Sequence, residues 1–199
     1  MTIVAQPSLI LISGKPGSGK TTLARRLAQP EVLGLPLLQR DAIKAGLVAS
    51  YMSETSATRA VIVPQSFALF FRTIELWLRS GISLIAEQSL QDRWHGESLR
   101  NVIPLARTVV IYCDLPDAVA ARRFIAREET LKGADLGNSS AAIERMRAGA
   151  YDWRRFDSFH LGVPELRVET SDGYAPNLAA IQAFCRENFG RSAMARQKL

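Results

Sequence analysis

Short apolar runs alternate with longer amphipathic stretches along the chain. The apolar runs predict five strands, over about Ser8–Ser13, Leu37–Gln39, Ile82–Ala86, Thr108–Cys113 and Leu166–Val168. Continuous apolar runs are typical of strands that are buried on both faces of a parallel sheet. Regular alternation of such strands with helices therefore predicts an α/β fold with a parallel sheet.

The stretches between these runs carry apolar residues at helical spacing. They predict helices over about Lys20–Ala28, Ala42–Ser50, Ala60 or Pro64 to Ser80, Trp94–Ile103, Ala118–Glu129, Ser139 or Ser140 to Asp152, and Pro176–Asn188. The third helix is strongly apolar, and Arg72, Glu75 and Arg79 mark its one polar stripe. No internal repeat interrupts the pattern, so residues 1–190 are expected to form one domain, followed by a frayed tail at 191–199.

Composition narrows the class of protein. With 199 residues, 47% of them hydrophobic and 22% charged, the chain is expected to form a globular core. It has no run of about 18 apolar residues and no N-terminal signal pattern, so we expect a cytoplasmic protein without a membrane span. Cys113 and Cys185 lie far apart and only two histidines accompany them, which predicts reduced thiols and disfavours a structural zinc site.

The net charge of +6 has two explanations. It fits an anionic partner such as a nucleotide or a nucleic acid, because arginine, the predominant basic residue, favours bidentate phosphate contacts. It equally fits a general bias in composition, since alanine is also abundant. The chain has no long basic block, which disfavours a dedicated nucleic-acid tail.

A glycine-rich phosphate-binding loop (P-loop) is predicted between the first strand and the first helix. Its sequence, GKPGSGKT at residues 14–21, matches G-x-x-x-x-G-K-[ST]. Glycines let the backbone approach a phosphate closely, and the loop amides with the helix N-terminus form a positive concavity. Lys20 would contact the β- and γ-phosphates, and the Thr21 hydroxyl would bind Mg²⁺. The residues predicted to bind the nucleotide are Gly14, Lys15, Pro16, Gly17, Ser18, Gly19, Lys20, Thr21 and Thr22.

Polar residues also follow the second and third strands, whose carboxyl ends lie at the same edge of the sheet as the P-loop. Asp41 would orient or deprotonate an attacking hydroxyl, as a kinase requires, or would simply cap the next helix. Arg40 and Lys44 would hold a substrate anion or lie on the solvated surface. Glu87 would position Mg²⁺ through water or hold the substrate.

Two arginines on the predicted fifth helix, Arg123 and Arg127, are spaced i and i+4 and share one face. They precede a glycine-bearing polar segment, and residues 128–142 are interpreted as a lid. Arginines beside a segment that closes over a nucleotide would neutralise the charge that develops during phosphoryl transfer. The alternative is a solvated arginine face that pairs with Glu128 or Asp117.

Taken together, these motifs resemble the small P-loop kinases grouped as predicted kinases of the AAA-type ATP-binding superfamily. The chain is similar to the kinase domain of phage polynucleotide kinase, to zeta-toxin-type kinases and to chloramphenicol phosphotransferase. The resemblance spans nearly the whole chain and rests on Gly14–Thr22, Leu38–Lys44, Cys113-Asp114 with the two arginines, and Glu169–Ser171. It implies a three-layer α/β/α sandwich with strand order 2-3-1-4-5, like the nucleoside monophosphate kinases, with Mg·ATP as donor, Asp41 as base and a lid. Glu87 stands where such kinases often have aspartate.

The features together predict an ATP-dependent kinase that phosphorylates a hydroxyl of a small molecule. The residues assigned to catalysis are Lys20, Asp41, Arg123 and Arg127, and the metal ligand is Thr21. The residues assigned to the acceptor substrate are Arg40, Asp41, Lys44 and Glu87. Two alternatives are a 5′-polynucleotide kinase, although nucleic acid is not favoured as a partner, and a toxin-like sugar-nucleotide kinase. A third is a regulatory module that binds ATP without transferring phosphate.

Overall fold

The computed structural model of the chain describes residues 6–50, 56–130, 140–157 and 161–189. Its strands are β1 Ser8–Gly14, β2 Leu37–Gln39, β3 Leu84–Glu87, β4 Arg107–Asp114 and β5 Glu165–Glu169. Its helices are α1 Lys20–Ala28, α2 Arg40–Ala49, α3 Ser56–Arg79, α4 Asp92–Val102, α5 Asp117–Thr130, α6 Ser140–Arg147 and α7 Leu178–Phe189.

The five described strands form one parallel sheet in the order β2-β3-β1-β4-β5. β1 is the central strand, and every one of its residues is buried. Near its carboxyl end, Ile12 lies opposite Glu87 of β3 on one side and Ile111 of β4 on the other. The predicted α/β fold and the predicted strand order are both confirmed. The P-loop follows the central strand, β1.

Alternate residues of β1 pack against different helical layers, because successive side chains of a strand point to opposite faces. Leu9 and Leu11 pack in a core cluster with side chains of α3 and α4. Ile10 and Ile12 pack in a second cluster with side chains of α1 and α7. The protein is therefore the three-layer α/β/α sandwich that the resemblance implied.

The start of α3 differs from the prediction. The helix begins at Ser56, before both of the predicted starts at Ala60 and Pro64, and Pro64 therefore lies inside it. A proline inside a helix lacks one hydrogen bond and crowds the carbonyl of the preceding turn. Ile62 lies before the proline and is fully buried, so packing of this turn on the protein compensates for the missing bond.

The apolar stretch Ala60–Arg79 of α3 is long and apolar enough, by length and composition, to cross a membrane, and 33% of it is buried. It is the one such stretch in the part of the chain that the structure describes. Phe70, Ile74 and Leu78 of this helix belong to the core cluster that covers the sheet. Core helices of globular proteins pass the same test, so the stretch is weak evidence for a membrane span.

Two further predicted boundaries also changed, and one of them involves Glu87. The helix predicted to reach Asp152 ends at Arg147, because Gly149 adopts φ 68° and the Ala150 N–H donates to the Arg145 carbonyl in a glycine-terminated cap. β3 extends one residue further than predicted, which makes Glu87 its last residue. Most of the predicted lid at 128–142 and the predicted tail lie outside the described residues.

Candidate functional site

The P-loop is pressed against β4 and α5. Gly14 and Gly17 adopt φ values of 145° and 84°, a region that residues with a side chain rarely occupy. A Cβ at Gly14 would lie 2.3 Å from the Cys113 carbonyl oxygen, and a Cβ at Gly17 would lie 2.3 Å from that of Ala120. The loop can take this path only with glycine at both positions, and glycine is also what allows a backbone to approach a phosphate closely.

Charged groups from three other elements converge on Lys20, the first residue of α1. The lysine is buried, and its Nζ donates to the Lys15 carbonyl at 3.4 Å. Burial lowers the pKa of Lys20, the carboxylates of Glu87 and Asp41 raise it, and the positive charge of Arg127 lowers it. The structure therefore brings β3, α2 and α5 together around the lysine that the motif assigns to the β- and γ-phosphates.

Glu87 is 3% exposed and lies beside the P-loop at the end of β3. Thr21 Oγ1 donates to Glu87 Oε2 at 3.2 Å, and Gln39 Nε2 donates to the same oxygen at 2.9 Å. Because the hydroxyl proton of Thr21 is directed to Glu87, the lone pairs of its oxygen remain able to bind a cation. The structure brings together Thr21 and Glu87, both predicted from the sequence, and adds Gln39, which was not.

This arrangement fits Mg²⁺ bound as part of a nucleotide complex. Magnesium prefers oxygen ligands and takes one or two protein groups together with water and substrate phosphates. The Thr21 hydroxyl and the Glu87 carboxylate supply such oxygens. Within the described residues there is no group of three or more His, Cys, Asp or Glu side chains that could form a complete protein cage for a metal.

Asp41 does not cap α2. The helix begins one residue earlier, Gln39 occupies the N-cap position, and no side chain caps the helix there. The Asp41 side chain is 72% exposed and one of its oxygens lies 3.0 Å from Arg40 Nη2. The capping explanation of this aspartate is wrong, and the carboxylate is accessible from solvent near Lys20. Lys44 lies one turn further along α2 and is partly buried.

Arg40 is packed into the protein rather than extended into solvent. Its side chain is 15% exposed, its Nε donates to Gln88 Oε1 at 3.3 Å, and its guanidinium lies 4.7 Å from the centroid of the Phe67 ring. Phe67 in turn lies 4.5 Å from the ring of His95. Gln88, Phe67 and His95 were not predicted as site residues, because only the folded chain shows that they surround Arg40.

The two arginines of α5 have different surroundings. Arg123 donates to the backbone carbonyls of Thr170 and Ser171, at 2.8 and 2.6 Å. Arg127 is half-exposed and pairs with Glu128 at 2.9 Å, as the alternative in the sequence analysis expected, and its positive charge is the smallest of the influences on the pKa of Lys20. Only Arg127 is therefore linked to the phosphate end of the P-loop in the described structure, while Arg123 holds the segment that follows β5.

That segment also secures the P-loop itself. The buried hydroxyl of Thr170 lies 2.9 Å from the Ser18 carbonyl and 3.1 Å from the Asp114 carbonyl. On the other side of the loop, Lys15 Nζ forms an ion pair with Asp117 at 2.5 Å. Three further residues were predicted to bind the nucleotide. Pro16 and Gly19 are partly exposed, and Thr22 is exposed.

Comparison with known proteins identifies the family of the chain. A family model described as an AAA domain matches residues 9–151. The chain belongs to this family. No curated protein matches it.

Solved structures that resemble this AAA domain include several proteins described as kinases. One described as a "putative kinase", from Chloroflexus aurantiacus, has a TM-score of 0.76 at 26% identity and covers 93% of this chain and 100% of its own. A sugar kinase from Janibacter sp. has a TM-score of 0.56 at 16% identity, over 94% and 96% of the two chains. A gluconokinase from Sinorhizobium meliloti has a TM-score of 0.51 at 19% identity, over 95% of each chain. The fold of the chain is that of the P-loop kinases.

Proposed function

We propose that this chain transfers the γ-phosphoryl group of ATP to a hydroxyl group of a small molecule. The observation that carries the proposal is geometric: Glu87 at the end of β3 accepts from Thr21 of the P-loop, and the exposed carboxylate of Asp41 lies in the first turn of α2, directly after the neighbouring strand β2. A module that only binds a nucleotide needs the P-loop and a carboxylate near the metal. It has no use for a second, accessible carboxylate next to the phosphates, whereas a kinase uses one to orient the acceptor.

The donor side of the site is formed by the P-loop and β3. Lys20 and the loop amides would hold the β- and γ-phosphates. The Thr21 hydroxyl and the Glu87 carboxylate would hold Mg²⁺, which when bound neutralises charge on the phosphate oxygens. Gln39 fixes the orientation of Glu87, because it donates to the oxygen that also accepts the Thr21 proton.

Transfer of the γ-phosphoryl group requires an activated acceptor hydroxyl and positive groups that compensate the charge on the phosphoryl oxygens. The acceptor oxygen attacks the γ-phosphorus, the bond from that phosphorus to the β–γ bridging oxygen breaks, and ADP leaves. The acceptor proton passes to Asp41, whose Oδ1 pairs with Arg40 and whose other oxygen is the proton acceptor. Arg127 stabilises the transferring group, and Arg123 supports the site by holding the segment after β5.

The first acceptor class to test is carbohydrate. Two of the similar structures are described as a sugar kinase and a gluconokinase, and the proteins share their fold with this chain. The panel should also contain nucleosides, aminoglycosides and 5′-hydroxyl oligonucleotides, so that the alternatives predicted from the sequence are tested together.

The decisive experiment compares wild type with Asp41→Asn. ADP release and acceptor phosphorylation are measured with each acceptor, and ATP affinity is measured by calorimetry. We expect Asp41→Asn to bind ATP as wild type does and to transfer phosphate about 100-fold more slowly or worse. Asp152→Asn, which changes an exposed aspartate outside the site, is the matched control. Wild-type protein that phosphorylates no acceptor, or an Asp41→Asn variant with unchanged transfer, would contradict the proposal.

A further inference from the structure

Three helices form a wall beside Asp41, and the mechanism above uses only its Arg40–Asp41 pair. Arg40 of α2 stacks on Phe67 of α3, with 4.7 Å between the guanidinium carbon and the ring centroid. Phe67 packs in turn against His95 of α4, with 4.5 Å between the centroids and the two rings tilted by 40°. Since Arg40 also pairs with Asp41, this Arg40–Phe67–His95 wall lies on the side of the site where the acceptor must bind.

His95 brings a hydrogen-bond donor to this wall. The Gln91 backbone N–H donates to His95 Nδ1 at 2.8 Å, so the proton of the neutral ring lies on Nε2. The ring is buried, and Nε2 has no hydrogen-bond partner among the described residues. Burial, and secondly the charge of Arg40, lower the pKa of His95 to about 4, which keeps the ring neutral at physiological pH.

An unpaired buried donor is unusual in a folded protein. Leaving such a group without a partner destabilises the folded protein, and each instance points to a missing partner or a functional role. An oxygen atom of a bound molecule that accepts from Nε2 would recover this loss. His95 is therefore suited to recognise an oxygen-bearing ligand.

Arg40 brings a guanidinium to the wall, where its Nη2 pairs with the Asp41 carboxylate at 3.0 Å. Its position is fixed by Gln88, which accepts from Nε at 3.3 Å, and by the ring of Phe67. Lys44 follows on the same side of α2, because residues four apart in a helix are neighbours. A guanidinium held in one orientation suits the planar oxygen pairs of carboxylates and the oxygens of phosphate esters.

We propose that the acceptor is a hydroxy compound that also carries an anionic oxygen group, either a carboxylate or a phosphate ester. This proposal rests on the proposed function. Arg40 binds the anionic group, the His95 Nε2–H donates to an oxygen of the same molecule, and the hydroxyl to be phosphorylated approaches Asp41. A neutral polyol of the same size makes the contact with His95 and lacks the contact with Arg40.

The first test measures binding, so its outcome does not depend on transfer. Calorimetry in the presence of a non-hydrolysable ATP analogue compares glycerol with glycerate and glycerol 3-phosphate, and glucose with gluconate and glucose 6-phosphate. We expect at least one anionic member of a set to bind about tenfold tighter than its neutral partner or better, and the two anionic arms distinguish carboxylate from phosphate. Equal or tighter binding of the neutral compounds, or binding of none, would overturn the proposal. Bound anions that are never phosphorylated would instead contradict the proposed function.

The second test separates recognition by Arg40 from general effects of removing a charge. Arg40→Met should weaken binding of the anionic compound by about 10- to 100-fold and change binding of its neutral partner by less than about threefold. Arg93→Met removes an exposed arginine of α4 that stacks on Trp94 and is the matched control. Equal losses for the charged and neutral compounds in Arg40→Met would overturn the role of Arg40.

A pair of variants separates ligand binding by His95 from its contact with Gln91. His95→Gln places amide hydrogens near the position of Nε2, whereas His95→Asn keeps an acceptor near Nδ1 and has no donor at Nε2. If Nε2 binds the acceptor, His95→Gln should keep affinity within about threefold and His95→Asn should lose about tenfold. If His95 only stabilises the start of α4, His95→Gln should have the lower Tm and both folded variants should bind normally, which would overturn the role of His95.

Discussion

The amide nitrogen of Gln39 lies 2.9 Å from Oε2 of Glu87, the oxygen that also accepts the Thr21 hydroxyl proton. The two residues end β2 and β3 and lie opposite each other in the parallel ladder. Gln39 therefore links the edge strand of the sheet to the P-loop through one buried carboxylate. The hydrogen bond from Gln39 fixes the orientation of the Glu87 carboxylate. Without it, metal binding would have to restrict the rotation of that side chain.

Replacing Gln39 by leucine should weaken the contribution of Mg²⁺ to nucleotide binding. We expect the affinity for ATP in excess Mg²⁺ to fall about tenfold and the affinity for ATP with chelator to change by less than about threefold. Calorimetric titrations with and without Mg²⁺ make this comparison. Gln65→Leu changes an exposed glutamine of α3 and should leave both affinities unchanged. Equal losses in the presence and absence of Mg²⁺ would show that Gln39 does not act through the metal site.

Alanine at Gly17 should be far more damaging than alanine at another glycine of similar backbone conformation. Gly149 adopts φ 68° and has open space where a Cβ would lie, whereas the Cβ at Gly17 would meet a backbone oxygen. Gly149→Ala should cost about 1–2 kcal/mol of unfolding free energy from backbone strain alone. Gly17→Ala should cost more and should abolish detectable ATP binding. Urea unfolding and calorimetry test both variants, and similar results for the two would contradict the packed P-loop.

The two arginines of α5 should differ in the step that they affect. Arg127→Met should lower kcat about 100-fold with little change in the KM for ATP, since Arg127 is near Lys20 and acts on the transferring phosphoryl group. Arg123→Met should mainly lower Tm and raise the KM for ATP, because Thr170 and Ser171 lose their donor. Steady-state kinetics and thermal unfolding of both variants make the test. If Arg123→Met instead lowered kcat strongly at a normal KM, Arg123 would act on the transferring phosphoryl group, and the expected difference between the two arginines would be wrong.

The stability of the protein should depend on pH through His95. Its folded-state pKa of about 4 lies below the ordinary value of 6.5, so the unfolded chain binds a proton first as the pH falls. The stabilising contribution is complete above about pH 6.5 and is lost as the pH falls towards 4, by up to about 3 kcal/mol. Urea unfolding between pH 7.5 and 4.5 should therefore show a flatter dependence for His95→Phe than for wild type. Parallel curves would contradict a buried neutral histidine.

The elements predicted correctly were those with a local signal. The strands of the sheet are continuous apolar runs, and the P-loop is a linear motif between a strand and a helix. Strand order followed from the resemblance rather than from the runs themselves. Asp41 shows the limit of local signals, because the sequence left open whether it caps α2, and only the observed start of the helix at Arg40 removed that alternative.

The residues that the sequence did not predict act through neighbours that are distant in the chain. Gln39 is separated from Glu87 by 48 residues. His95 resembles any buried histidine in the sequence, and its unpaired nitrogen and its contact with Phe67 exist only in the folded chain. The early start of α3 has the same origin, since burial of Ile62 outweighs the unfavourable proline that follows it.

The contact between Thr170 and the Ser18 carbonyl bears on the order in which the protein becomes functional during synthesis. The two residues are separated by 152 positions, and the matched AAA domain region, 9–151, ends before Thr170. A ribosome has therefore completed the whole glycine-rich motif, and the whole family region, before it adds the hydroxyl that secures the loop. Nucleotide binding is expected to develop late in translation, after β5 has joined the sheet, so the nascent chain passes most of its synthesis without the ATP that would later stabilise it.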